Sequence, residues 1–322
     1  MMVEELGGNE ELRASVLNNI GIARMYGGDA SGLADLERSL EITVAMNSVE
    51  AIRAYGNLAS MLADLGELDR RYEMVAMGQA AAERFGVAER IGWLAAESVL
   101  DLYWNGNWDE AQVRLDELIA GFEETLFWME PPCRVQRGRI RLARGDDAGA
   151  RADAERAIER GRIAKDPQVL WPALAFGAHA LVAADPEEAR LLSQEVLAAW
   201  RAKRFSSSGA SEWLRDIAVA LRVLGMEAEL IEAAPLVPLP TPWLAAACSY
   251  VTGDFHEAAK TYAEIGSLPD EAFARLRAAE ALVLEGRRVE ANVELESALA
   301  FWRSVGAAAY VREGEALLAA SA

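Results

Sequence analysis

Small residues at fixed steps constrain this chain more than any other feature of it. From Arg134 to Gly161 the sequence reads RVQRGRIRLARGDDAGARADAERAIERG, two helix-period segments that meet at Arg144-Gly145-Asp146. Gly138, Gly145, Ala150 and Ala157 stand seven, five and seven residues apart. A small residue seven before a tight turn and another five after it let two antiparallel helices come close where they cross, because little more than a methyl group separates the backbones. The stretch predicts one helical hairpin. The same ruler finds turns at Gly28, Gly66, Gly106, Ala184, Gly225, Gly253 and Gly286, which with Gly145 makes eight.

Eight hairpins in register predict an all-α solenoid, in which each unit buries its apolar stripe on the next and no second core is needed. For 322 residues this overrides the expectation of about two globular domains. Two repeat types compete. Tetratricopeptide units run about 34 residues and HEAT or armadillo units about 40–47, while the turns here are 38, 40, 39, 39, 41, 28 and 33 residues apart. Length decides nothing, but residue size does. Gly21, Ala59, Val99, Gly138, Gly177, Ala218, Ala246 and Ala279 precede the turns by seven, and Ala111, Ala150, Ala189, Ala258 and Ala291 follow turns by five. The reading is a right-handed, tetratricopeptide-like solenoid of eight helix hairpins with somewhat lengthened helices. Residues 307–320 lack a partner helix in sequence and predict a C-terminal capping helix.

The regularity fails once. Pro235, Pro238, Pro240 and Pro242 place four of the ten prolines within eight residues, and each lacks the backbone donor that a helix interior needs. The second helix of repeat six must be short. The chain divides into repeats one to six (1–234), a proline-rich break (235–242), and repeats seven and eight with the cap (243–322). The break is expected to turn the solenoid or to loosen repeat seven from repeat six. A serine-rich stretch, 205–210, reads as a flexible connector.

Composition narrows the partners. With 32 basic and 51 acidic residues the net charge is −19, which repels phosphate backbones and anionic lipid, so neither nucleic acid nor membrane is expected. Cys133 and Cys248 are the only cysteines and suggest neither a disulfide framework nor a metal cluster. The N-terminal MMVEELGGNEEL is acidic without an apolar segment, unlike a secretory signal. The longest apolar stretch, 171–184, falls short of the roughly 18 residues of a membrane span. A soluble, cytoplasmic protein is the expectation.

The closing segment SALAFWRSVGAAAYVREGEALLAAS, Ser297 to Ser321, and more weakly RGRIRLARGD, Arg137 to Asp146, resemble the C-terminal tetratricopeptide region of large bacterial signalling regulators. In those proteins an ATP-binding module of the AAA or STAND type precedes the repeats. Some open with an adenylate/guanylate cyclase domain, and LuxR-type relatives close with a helix-turn-helix. The resemblance covers nearly the whole chain but none of the catalytic parts. No G-x-x-x-x-G-K-[ST] phosphate loop occurs. It implies a fragment or stand-alone remnant of a regulator, a module that senses or docks something.

The residues themselves offer little chemistry. His179 and His256 are the only histidines, without a second ligand at metal spacing; His179 reads as a hydrogen-bonded core residue and His256 as solvent-facing. No nucleophile with a partner base is found, and no cofactor or enzyme activity is expected. Arg134, Arg137, Arg141 and Arg144 form one helical stripe, either a dock for an anionic ligand or ion-paired to Glu123, Glu124, Asp147 and Asp153.

The aromatics say more. In such a superhelix the first helices line the concave wall, at ten, six, three and two residues before each turn. That places Tyr103 and Trp104, Leu174 and Ala178, and Trp243 and Tyr250 on the wall, with Trp93 and Trp171 thirteen before the turn at its rim and Arg139 and Arg215 supplying charge. Either these rings bind a partner, as groove-facing aromatics often do, or they fill space between helices. The leading expectation is a non-catalytic scaffold for a protein or peptide, an upstream ATPase or cyclase domain being one candidate. The alternative is a small-molecule effector sensor of a LuxR-type or STAND regulator, which a closed pocket rather than an open groove would favour.

Overall fold

In the computed structural model residues 9–122, 128–202 and 210–320 are described. Those residues form 17 α-helices and no strand, and neighbouring helices pack in sequence order as an all-α solenoid. The first four hairpins are α1 (Glu10–Tyr26) with α2 (Gly32–Ala45), α3 (Ala51–Asp64) with α4 (Leu68–Phe85), α5 (Ala88–Trp104) with α6 (Trp108–Phe122), and α7 (Glu130–Arg144) with α8 (Asp147–Ala164). Next come α9 (Pro167–Leu181) with α10 (Pro186–Arg201), α11 (Ala210–Val223) with α12 (Glu227–Ala233), α13 (Pro242–Thr252) with α14 (Phe255–Ile265), and α15 (Leu268–Leu284) with α16 (Arg288–Ser304). The last helix, α17 (Ala308–Ala320), packs on α16.

All eight predicted turns are present. At Gly145 the backbone takes φ +89°, and the six other turn glycines also have positive φ, a conformation that costs a side chain with Cβ but not glycine. Ala184 turns without it, and Asp185 then caps α10 by accepting from Glu188 N. Aspartates cap three more helices in the same way: Asp146 on α8, Asp166 on α9 and Asp254 on α14.

The crossings follow the ruler. Ala111, Ala150, Ala189, Ala258 and Ala291 are fully buried. A Cβ at Gly138 would lie 2.4 Å from the Phe176 ring and 3.5 Å from the Ala150 carbonyl, so α7 is pressed against both α8 and α9 with no room for growth. Ala150→Leu is expected to overpack this crossing and cost about 1–3 kcal/mol, read as a lower urea midpoint; an unchanged midpoint would mean the crossing yields without strain.

The proline break is there too. α12 has seven residues and gives way to a 3-10 turn, Ala234–Leu236, before Thr241 caps α13. Repeat seven is not loosened. α13 packs directly on α11, and a single apolar core runs from Ala51 to Ala307 across the break. The shortened α12 lets the segment reach back to repeats one and two. A Cβ at Gly28 would meet the Pro238 carbonyl at 2.5 Å, one at Gly66 would meet Pro242 at 2.8 Å, and Leu239 packs beside Met25, Leu58 and Leu62.

The solenoid therefore closes on itself. The first helices of the later repeats lie against those of the earlier ones: α11 touches α3, α15 touches α5, and α17 touches α7. Trp243 of α13 donates its indole N–H to the Ala63 carbonyl of α3 at 2.7 Å. Arg144 reaches the Val305 carbonyl, and the Trp108 ring meets Phe301 and Trp302 at 5.9 Å.

Candidate functional site

Closure decides the fate of the aromatic wall. Trp93, Tyr103, Trp104, Trp171, Trp243 and Tyr250 do sit on the inner layer, but every one is buried, as are Arg139, Arg215, Leu174 and Ala178. The expected open partner surface at these residues is corrected: they face other helices of the same chain. Trp104 meets Trp243 at 5.8 Å, joining α5 to α13, and carries the Arg71 guanidinium 5.2 Å from its ring centroid. Tyr103 stacks on Trp108 at 5.4 Å, and Tyr250 packs on Phe255 and Phe273. Burial pushes the Tyr250 hydroxyl up to about 12. The physical cause is room: once the later first helices enter the concave space, rings large enough to bridge two walls fill it.

The charged members of that set tie the closed layer together. Arg139 of α7 donates from Nε (2.8 Å) and Nη2 (2.6 Å) to Oδ2 of Asp216 in α11. Arg215 and His179 Nδ1 reach Asp216 Oδ1 at 2.6 and 2.8 Å, so His179 is the bonded core residue expected. Arg215 Nε lies 3.2 Å from Asp270 Oδ1 of α15, and Ser267 donates to Asp270 Oδ2. Burial alone would raise the Asp216 pKa, but Arg139, Arg215 and the His179 bond outweigh it and hold the carboxyl well below its ordinary range. In Asp270 burial wins over Arg215 and the pKa rises. In His179 burial lowers it despite Asp216.

The arginine stripe of α7 is likewise occupied. Asp153 receives Arg134 (3.4 Å), Arg137 (2.6 Å) and Arg141 (2.8 Å). Glu130 holds Arg134 and Arg160, Asp116 holds Arg137, and Asp109 holds Arg144. Of the acids expected as partners Asp153 serves; Glu123, Glu124 and residues 205–209 of the serine-rich connector lie outside the described residues. His256 is exposed, as expected, and bonds Glu294 at 2.8 Å.

What closure leaves on the inner side is a cleft of about 240 Å³ between α1, α3, α4, α5, α7 and α9. Tyr26, Trp93 and Trp128 give it flat walls, and Arg53, Arg71, Arg90, Asp64, Glu97 and Gln168 give it polar groups. Gly56 makes the site possible, since a Cβ there would lie 1.9 Å from the Trp93 ring. Trp93 stands 6.5 Å from Trp128, and the Arg90 guanidinium covers it at 5.4 Å. Arg71 enters from α4, bonding Asp101 (2.7 Å) and Glu97 (2.9 Å). Arg53 is held by Glu50, Ser15 and Asn19.

A signal for this cleft was present. Ile22, Tyr26, Ser60, Ala63 and Asp64 stand six, three or two residues before the turns of repeats one and two, and Arg53, Trp93 and Pro132 stand thirteen before theirs. The wall positions of the first two repeats line the cleft.

Among the described residues the two most exposed large apolar side chains, Leu284 and Val289 at 85% and 81%, stand at the turn of repeat eight, with Val293 at 60%. Among the described residues no cluster of three or more His, Cys, Asp or Glu side chains could hold a metal, and no helix is long and apolar enough to cross a membrane. Compared with models of known protein families the chain matches none, and no curated protein matches it.

Proposed function

We propose that the chain is a non-catalytic sensory module of a bacterial signalling regulator, one that takes a small effector in the inner cleft rather than a peptide along an open groove. The observation that carries this reading is the closure of the concave side: among the described residues the aromatic wall is buried, and beside it lies a bounded cleft with flat walls and convergent polar groups. Five helices from repeats one to five, with Arg71 from a sixth, meet at that cleft, so an occupant would bias how those repeats pack. An effector that binds only the packed state stabilises it by mass action.

The test is hydrogen exchange on the full chain with and without a protein-free small-molecule extract of bacterial cells. Added protection in 22–64 and 90–104 is the expected result. Unchanged exchange in both segments would overturn the sensor reading. A protein partner remains the second reading, supported by a separate observation, the exposed Leu284, Val289 and Val293. In that reading the dock lies on the outside at repeat eight, and Val289→Asp abolishes association without moving the exchange of the cleft.

A further inference from the structure

We infer that the inner cleft binds a small organic anion with a flat, apolar body, an inference that rests on the sensor reading and names its ligand class. In a chain of net charge −19 the cleft is lined by three arginines, Arg53, Arg71 and Arg90, against two acids, Asp64 and Glu97. The lining thus carries one more basic than acidic side chain in an otherwise acidic chain. Arg71 is held by Asp101 and Glu97, and Arg53 by Glu50, Ser15 and Asn19. Arg90 has the Trp93 ring beneath it and no carboxylate partner among the described residues. An arginine fork over an aromatic face is well suited to a carboxylate or phosphate, because its planar array of donors matches two oxygens while the ring stays in place.

Trp93 is 7% exposed, and its indole N–H is buried without an acceptor among the described residues. An unmet buried donor carries a desolvation cost that an incoming oxygen would relieve. Trp93, Trp128 and Tyr26 present planar surface, so the body of the ligand that best uses them is itself flat. At about 240 Å³ the space lies below the roughly 300–1,000 Å³ of sites for drug-sized molecules. A single ring or its equivalent bearing one anionic group fits; a nucleotide or a helix does not.

Titration of the full chain with benzoate, benzamide and inorganic phosphate, followed by tryptophan fluorescence and calorimetry, separates the components. Benzoate is expected to bind saturably with Kd of about 1 mM or tighter. Benzamide, the same shape without the charge, should bind at least about tenfold more weakly, and phosphate, the charge without the ring, likewise. Arg90→Gln should weaken benzoate by about tenfold and Arg90→Lys by less, both with unchanged urea midpoints, since Arg90 is half-buried and pairs with no carboxylate among the described residues.

Equal binding of benzamide would overturn the anion, and equal binding of phosphate would overturn the flat body. Protection of the cleft by the small-molecule extract, together with no binding of benzoate or phosphate, would overturn this inference and leave the sensor reading standing. Silence in both experiments would remove both.

Discussion

Asp216→Asn is expected to destabilise the protein by about 3–5 kcal/mol, because it leaves the Arg139 and Arg215 guanidinium groups buried without their shared counter-charge. The comparison that makes this specific is Asp109→Asn, which removes an equally short pair, 2.6 Å to Arg144, from a side chain that is fully in solvent. That change should cost well under about 1 kcal/mol. Urea unfolding of the two variants reads the difference; equal midpoints would mean that Asp216 does not hold the inner layer together. The acid limb follows from the same groups. Asp216 has a lowered folded pKa, so its contribution is complete above the ordinary carboxylate value of about 3.9 and is lost as pH falls through the folded one. Asp270 has a raised pKa, so its contribution has the opposite sense, present at low pH and lost as pH rises through the folded value. Replacing Asp216 should therefore flatten the loss of stability below about pH 4.

Trp243→Ala should cost about 3–5 kcal/mol by removing a fully buried ring. The Ala63 carbonyl, which keeps the Gly66 N–H at 2.9 Å, also loses the donor that it has across 180 residues of sequence. The effect of the substitution should be felt at both ends of the chain. Trp243 seals α13 onto α3 and touches Trp104 and Tyr262, so hydrogen exchange should rise in repeat two as well as repeat seven. A rise confined to 242–265 would show that the seam between the two halves does not depend on this ring. Trp104→Ala belongs to the same class, and for both residues loss of fold replaces the loss of partner binding that an open wall would have given.

How far the fold could be read depended on the range of the forces involved. Helix crossings are set by residues five to seven apart on one hairpin, and a sequence displays these directly: Gly138 and Ala150 sit where the ruler puts them. The proline cluster likewise announced a shortened α12, since proline acts on its own helix. What the sequence did not display was that Pro238 lies on Gly28 or that Arg139 meets Asp216, partners separated by 210 and 77 residues. No periodicity encodes such a meeting. The error at the aromatic wall has the same origin, because position before a turn tells which side of a helix faces inward and not whether the inside is empty. The cleft was partly legible for that reason: Tyr26, Ser60 and Asp64 are inner positions, while Arg71, on a second helix, reaches the cleft only by virtue of its length.

The seam between Trp243 and Ala63 also sets an order in time. An open repeat array can consolidate each hairpin on the one before it as the chain is made. Here the seat on α3 for Trp243 waits for a further 180 residues, which at the usual ~5–20 residues per second of synthesis is roughly 10–40 s. Through that interval Trp104 lacks the ring that covers it, and an apolar wall meant for the molecule's own later half stands open on the ribosome. Contacts this distant in sequence also slow the final closure relative to the local hairpins. The newborn chain, and not the finished one, is the form in which this wall is open.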